Sequence, residues 1–389
     1  MSERLSDIFT QGLEAQYERR KYMRVLMVSS HQMGGRYFED FAKGAIDSEI
    51  KLGFIWLSTD EPPKWMKEYD VQNLNNRLLK RRSFFLQCLG GIYAISKFKP
   101  SLIQTHLFRA GVLGILIGKI KRIPTILTRH HITEHVEVGS KLHRIVDKYS
   151  ARLASFVIVF SIAAQRWMID MEGIDPKKIF IINQGFDFQK LAPTTEEILE
   201  AGNQLGFSNG TFNIICIARY SETKGQRYLV EAIRELVPFI PEIRLVFVGP
   251  GKSEWLAAIV KELNLQKYIY LSGYNQDVPA CLVSADLVVH PSLVDAFSQL
   301  LIEAQGVGAP LVATDIAAAR EQIIDGVTGI IVKERSSSEL AAAILRLYLD
   351  RNLMAELGAS AYKSVQERFS VRRMIRESQD CYQAVISSE

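Results

Sequence analysis

The sequence alternates short, continuously apolar segments with segments of helical hydrophobic period, in two successive series. Continuously apolar segments flanked by helices are typical of strands in parallel sheets that helices cover on both faces. The pattern therefore predicts an α/β protein with two Rossmann-like domains. The predicted strands are MRVLMVSS, LGFIWLS, SLIQTH, TILTRH, FVIVFS and IFIINQ in the first series, and FNIICIARY, IRLVFVG, IYLSG, LVVHPS, PLVAT and GIIV in the second.

A chain of 389 residues is long enough to form two hydrophobic cores. The alternation restarts after NQGFDFQKLAPTT, so we predict a first domain over residues 1–192 and a second over residues 193–369. The last helix, about residues 370–389, follows the final strand of the second domain and is expected to pack back on the first. Two such domains would enclose one cleft.

Composition excludes several classes of protein. The four cysteines form no CxxC pair, which argues against a disulfide framework or a zinc knuckle. The charged N-terminus lacks an apolar signal core, and no apolar run reaches the length of a membrane span, so we expect a cytoplasmic protein. Residues 1–190 carry 29 lysines and arginines against 19 acids, whereas the remainder carries 18 against 24, so the two halves are expected to meet different partners. The cysteines are Cys88, Cys216, Cys281 and Cys381.

Asp295 and Glu303 lie eight positions apart, on either side of the start of a predicted helix that Ser298 would cap. The first amides of a helix are unpaired and carry partial positive charge, so those of Phe297 to Gln299 predict a diphosphate site. Glu303 would lie about 7 Å along the helix axis, near the distance from a pyrophosphate to its ribose. The spacing therefore suits a nucleotide sugar with Asp295 at the sugar and Glu303 at the ribose; a turn acid and a solvated helical glutamate are the structural alternative.

Two cations are predicted to converge on the same diphosphate. Arg219 follows the first strand of the second series, and Lys224 precedes Gly225 at the entry to the next helix. Both side chains would neutralise charge on a departing diphosphate. An arginine after the strand, a lysine five residues later and then the two spaced acids form a far more specific pattern than either pair alone.

On these residues the chain resembles, nearly end to end, the retaining glycosyltransferases of family 4, which have the GT-B fold. The resemblance implies that Arg219 and Lys224 bind the donor diphosphate and that Asp295 and Glu303 match the E-x7-E motif of the family. Asp295 departs from the usual glutamate, and DAFS stands where many members have Gly-Phe-Gly. The shorter side chain withdraws the carboxylate by about one methylene, which bears on the position or identity of the sugar.

The resemblance implies further donor contacts. Gly273 and Tyr274 fall where family members border the base, and Gly34 and Gly35 match a glycine-rich loop that faces the donor. From the residues alone, an ordinary tight turn explains Gly34 and Gly35 about as well. His130 ends a strand where family members carry a histidine near the reacting carbon; a strand-end histidine bonded to local backbone is the alternative.

The other histidines of this region allow two interpretations, a further donor contact and a zinc site. His106 at the preceding strand end is a weaker candidate of the same kind as His130. Zinc ligation is conceivable from the spacing of His130 or His131 with His135, although no closed set of Cys and His pairs supports it, and His143 follows the cluster.

A basic, aromatic stretch in the first domain has two interpretations, a membrane contact or an ordinary packed helix. It can lie on anionic lipid, as a peripheral contact, or it can be a core-packed helix with solvated cations. A nucleic-acid role is not expected, because no binding motif occurs and the second domain is acidic. The residues are Arg77, Lys80, Arg81, Arg82, Phe84 and Phe85.

These features predict transfer of a sugar from a nucleotide diphosphate sugar, without a cofactor. No DxD triplet occurs, so we expect fixed cations rather than a metal ion at the diphosphate. The resemblance implies retention of configuration, a UDP-sugar donor and a glycan or lipid-linked glycan acceptor. A nucleotide-sugar epimerase on the same scaffold and a non-catalytic sugar-nucleotide binding protein are the alternatives.

Overall fold

The computed structural model describes residues 22–30, 36–57, 61–130, 141–275 and 277–388. It divides into two compact units. The first unit comprises Met1–Phe186 together with Val371–Glu389, and the second comprises Asp187–Ser370. The division falls a few residues before the predicted boundary at 192, and the C-terminal helix belongs to the first unit.

In the described residues of the first unit, seven parallel strands form one sheet in the order β3-β2-β1-β4-β5-β6-β7. The order reverses direction between β1 and β4, where parallel sheets open a crevice at the carboxyl ends of their strands. The strands are β1 Met23–Ser29, β2 Ile50–Trp56, β3 Gln72–Asn73, β4 Leu102–His106, β5 Thr125–Arg129, β6 Phe156–Val159 and β7 Ile179–Ile181.

Helices of the first unit pack on both faces of this sheet. They are α1 Tyr37–Ala45, α2 Trp65–Glu68, α3 Phe84–Phe98, α4 Phe108–Lys121, α5 Lys141–Leu153, α6 Ile162–Trp167 with a π-helical continuation Met168–Glu172, and the C-terminal α15 Val371–Ser387. Gly44 lets α15 approach α1 closely, because a Cβ there would lie 2.4 Å from Cγ1 of Val371. Buried Tyr382 of α15 donates a hydrogen bond to Gln104 Oε1 of β4.

In the described residues of the second unit, six parallel strands form a sheet in the order β10-β9-β8-β11-β12-β13. The order reverses between β8 and β11. The strands are β8 Phe212–Ile217, β9 Ile243–Val248, β10 Ile269–Gly273, β11 Leu287–His290, β12 Leu311–Thr314 and β13 Ile330–Val332. The helices are α7 Thr195–Gln204, α8 Gln226–Leu236, α9 Glu254–Glu262, α10 Val278–Ser284, α11 Gln299–Gly306, α12 Ala317–Gln322, α13 Ser337–Leu349 and α14 Arg351–Arg368.

The predicted strands are all present, and both sheets are parallel as expected. Strand β3 was not predicted, because its two residues are exposed and carry no apolar pattern. None of the described helices combines the length and the hydropathy of a membrane span.

Candidate active site

The loops that follow β8 and β11 meet at the point where the second sheet reverses its strand order. The β8 loop forms a short 3₁₀ turn, Glu222–Lys224, which ends at Gly225 in the left-handed region with a φ of 64°. A Cβ on Gly225 would lie 1.9 Å from the carbonyl oxygen of Pro291, so only glycine permits this approach. The amide of Leu293 donates to the carbonyl of Thr223 at 2.9 Å, which holds the two loops together.

This approach brings Lys224 and Asp295 into contact. Lys224 Nζ lies 2.9 Å from Asp295 Oδ2, and each side chain is 21% exposed. The pair therefore stands at the carboxyl ends of two adjacent strands, partly open to solvent, where an anionic ligand can reach the lysine. The amide of Ala318 donates to the Asp295 carbonyl at 3.1 Å, which fixes the backbone that carries the carboxylate.

His290, the last residue of β11, lies beside Asp295 and is not among the site residues predicted from the sequence. Its Nε2 is 3.9 Å from Asp295 Oδ2, and its side chain is buried. Burial, together with Lys224, lowers the pKa of His290 to about 4, against the opposite effect of Asp295, so the ring is neutral near pH 7. Neither ring nitrogen has a hydrogen-bond partner within the described residues.

Helix α11 begins at Gln299, as predicted, but the cap differs from the expectation. Ser298 is extended at the N-cap position, and its side chain makes no capping hydrogen bond. Its amide donates instead to Oε1 of Gln322 at 3.3 Å, because α12 brings that buried side chain alongside. Of the three amides predicted to bind a diphosphate, the one of Ser298 is thus already engaged; Gln299 is exposed and Glu303 half-buried on the same helix.

Arg219 is exposed on the β8 loop, on the same edge of the sheet as Lys224. The loop is shaped by Gln226, which is fully buried. Its Nε2 donates to the Arg219 carbonyl at 3.2 Å, and its Oε1 accepts from the amide of Ser221 at 3.2 Å. Both predicted cations are therefore carried by one loop whose backbone is fixed from inside.

The residues predicted to border the base lie at the end of the edge strand β10. Gly273 has a φ of 77°, which favours glycine, and its amide donates to Tyr220 Oη at 3.4 Å. Tyr274 follows and is 68% exposed. Phe297, on the β11 loop, is half-buried with its ring 6.2 Å from that of Phe369.

In the first unit, His130 and His106 form a pair at the ends of β5 and β4. His106 Nδ1 and His130 Nε2 are 2.9 Å apart, so one ring donates to the other. His106 is fully buried, which lowers its pKa to about 3. Buried Tyr37 packs with its ring centroid 5.5 Å from that of His106. The side chain of His130 thus hydrogen-bonds to the neighbouring His106.

Several predicted residues lie outside the described part of the chain. They are Gly34, Gly35, His131 and His135. Neither the glycine-rich loop nor the zinc alternative gains a contact from the structure, and both stay predictions.

Two models of protein families match the sequence of this chain, one after the other. The sequence model described as "Glycosyltransferase Family 4" matches residues 34–190, and the one described as "Glycosyl transferases group 1" matches residues 198–364. The two matches follow one another and together span more than four fifths of the chain. The chain belongs to the family 4 glycosyltransferases.

Two similar proteins each share about a quarter of their aligned residues with this glycosyltransferase. The UDP-Gal:alpha-D-GlcNAc-diphosphoundecaprenol alpha-1,3-galactosyltransferase of Escherichia coli is 22% identical over 74% of this chain and 76% of its own. A D-inositol 3-phosphate glycosyltransferase of Corynebacterium aurimucosum is 25% identical over 77% and 76%. The crystal structure of Anabaena HepE in complex with UDP-glucose superposes with a TM-score of 0.76 at 24% identity, over 95% of this chain and all of that one, which shows the GT-B fold.

Proposed function

We propose that this glycosyltransferase moves a hexose from a UDP-sugar to a hydroxyl of a glycan or lipid-linked glycan, with retention of anomeric configuration and without a metal ion. The Lys224–Asp295 contact at the carboxyl ends of β8 and β11 carries the proposal. A cation and a carboxylate side by side suit a substrate that is anionic at one end and rich in hydroxyls at the other. The names of the relatives support UDP, since HepE binds UDP-glucose and the Escherichia coli relative uses UDP-Gal.

In the proposed complex, Lys224 leaves Asp295 and binds the diphosphate together with Arg219. Both cations stabilise the negative charge that develops on UDP as the glycosidic bond breaks, which is the main contribution to catalysis. Asp295, released from the lysine, accepts hydrogen bonds from hydroxyls of the transferred sugar. Glu303 accepts from the ribose hydroxyls, and Gly273 and Tyr274 border the base. The acceptor hydroxyl attacks on the face from which UDP departs, and a diphosphate oxygen takes its proton.

Neutral His290 supports this exchange of partners. A buried imidazole beside Asp295 offers a neutral dipole rather than a second positive charge, so the carboxylate keeps Lys224 as its single close cation among the described residues. When the lysine moves to a phosphate, no charged histidine stays paired with Asp295. The carboxylate is then available to the hydroxyls of the sugar. In the first unit, His130 is proposed to orient the donor sugar.

The test is a thermal-shift series with UDP, GDP, ADP and their sugars, since a ligand that binds only the folded protein raises its melting temperature. UDP and at least one UDP-sugar are expected to raise it, and GDP and ADP much less. Addition of EDTA should leave the UDP shift unchanged. No shift with any nucleotide diphosphate would refute donor binding, and a larger shift with GDP would refute the choice of base.

Turnover distinguishes the alternatives. The transferase releases UDP only when donor and acceptor are both present, and NMR of the product shows the retained anomer. Conversion of the donor to a new nucleotide sugar without acceptor would identify an epimerase. A binding scaffold is favoured by the aspartate at 295; it is excluded if Asp295→Glu shows altered but measurable turnover.

A further inference from the structure

Three helices of the first unit, α3, α4 and α5, form a layer on one face of the sheet. Each connects strands that advance in the same direction, from β3 to β4, β5 and β6, and right-handed crossovers place such helices on the same face. Helices α3 and α4 pack closely, because a Cβ on Gly91 would lie 2.4 Å from Cδ1 of Ile117. Helix α5 packs beside α4.

This layer is apolar on its outer side as well as on its inner side. On α3, Phe85, Leu89 and Tyr93 recur at one-turn spacing, and Phe85 and Tyr93 are 69% and 60% exposed. The residues that α3 buries against the unit, such as Ala94 and Phe98, occupy the opposite side. Helices α4 and α5 continue the pattern. Their exposed members are Leu116 and Ile120 on α4, and Ile145, Tyr149 and Leu153 on α5.

Two of these helices, α3 and α4, lie in a long stretch of sequence that carries positive charge and no negative charge. No aspartate or glutamate occurs between Asp70 and Glu134, whereas eleven lysines and arginines do. Most of these cations are exposed around the ends of α3 and α4. The exposed ones are Arg77, Lys80, Arg81, Arg82, Lys97, Lys99, Arg109, Lys119, Lys121 and Arg122.

The exposed apolar side chains and the exposed cations together indicate which kind of partner binds this layer. Exposed apolar patches of this kind mark interaction surfaces. The exposed cations around α3 and α4 attract a partner with a negatively charged surface. A second copy of the chain would bring the same positive charge and be repelled. An anionic bilayer supplies both requirements, since its phosphates pair with the cations while its acyl boundary receives aromatic and aliphatic side chains.

We propose that the outer side of α3, α4 and α5 docks on an anionic phospholipid bilayer. The aromatic side chains Phe85 and Tyr93 enter the boundary between headgroups and acyl chains, and Lys80, Arg81 and Arg82 pair with lipid phosphates. This surface would bring the enzyme to a lipid-linked acceptor, and to that extent the inference rests on the proposed function. Bilayer binding itself requires neither donor nor acceptor.

The experiment is vesicle flotation of the full chain without nucleotide. Vesicles of phosphatidylcholine alone are compared with vesicles of equal parts phosphatidylcholine and phosphatidylglycerol. The wild type is expected to float with the anionic vesicles about 100-fold more strongly, because each of the three cations Lys80, Arg81 and Arg82 contributes about fivefold to binding near such a surface. Lys80→Gln with Arg81→Gln should reduce this binding by about 25-fold.

A second pair of variants tests the apolar contribution. Phe85→Ser with Tyr93→Ser should weaken binding by tenfold or more, whereas the matched control in the second unit, Phe239→Ser with Leu349→Ser, should bind like the wild type. Both control residues are similarly exposed, at 66% and 73%. All variants change exposed side chains, and unchanged melting temperatures and UDP shifts verify that fold and donor site are intact.

Three outcomes would overturn the inference. The wild type could fail to bind anionic vesicles, or the Phe85 and Tyr93 variant could bind as well as its control. Alternatively, sedimentation could show a dimer that the Phe85 and Tyr93 variant loses, which would identify a second copy as the partner. A UDP shift that persists in each case would leave the proposed function standing, so the two failures are distinguishable.

Discussion

Replacement of Lys224 by methionine tests the proposed diphosphate contact most sharply, because it removes the charge and keeps much of the apolar stem. A hydrogen bond between charged groups contributes about 1.5–3 kcal/mol, so UDP should bind about 10- to 100-fold more weakly. The loss of Lys224 also leaves the Asp295 carboxylate unpaired beside the incoming phosphates, which places the expected effect towards the upper end. Uridine, which has no phosphate, should bind the variant and the wild type alike.

The assay is isothermal titration of UDP and of uridine into wild type, Lys224→Met and Lys363→Met. Lys363 is exposed on α14 and serves as the matched control, because the same substitution there removes a charge from a solvated helix face. A loss of UDP affinity below about threefold for Lys224→Met, or an equal loss for uridine, would refute the assigned contact.

Three further results are expected. Asp295→Asn should bind UDP a few fold more tightly, because Lys224 loses its competing anion, and yet lose transfer by about 10²-fold or more in a UDP-release assay; weaker UDP binding would contradict the exchange of partners. Gly225→Ala should lower the melting temperature by several degrees and abolish the UDP shift, since its Cβ meets the Pro291 carbonyl; an unchanged melting temperature would contradict the packing. Burial lowers the pKa of His290 to about 4 and of His106 to about 3, whereas an unfolded histidine titrates near about 6.5, so the unfolded chain takes up protons first as the pH falls. Stability should therefore be highest above about pH 6.5 and fall below it by up to about 1.4 kcal/mol per pH unit per histidine; denaturant titrations from pH 7 to 5 should show a shallower fall in His290→Asn, and an identical fall would contradict the assignment.

The two sheets could be predicted from the sequence because buried parallel strands are continuously apolar and helices separate them. Strand β3 could not, since two exposed residues such as Gln72 and Asn73 pair through backbone groups that leave no side-chain pattern. The α11 start at Gln299 was predicted from local residue preference. The engagement of the Ser298 amide by Gln322 was not, because it depends on how α12 packs against α11.

The candidate site, like the fold, could be predicted only in part from the sequence. Lys224 and Asp295 were identified by their order along the chain, and the structure joins them because Gly225 allows two loops to meet. His290 was overlooked, although a histidine ending a strand five residues before Asp295 was a usable signal. His290 bears on the site because it is buried and because the loop after β11 brings Asp295 close to its ring. Sequence spacing alone predicts neither feature.

A crystal structure of the protein with UDP tests the central claim most directly. The account predicts a diphosphate oxygen within about 3 Å of Lys224 Nζ, with Arg219 on the same diphosphate and the Lys224–Asp295 contact broken. A structure in which the phosphates lie away from the β8 and β11 loops, with Lys224 still on Asp295, would contradict it.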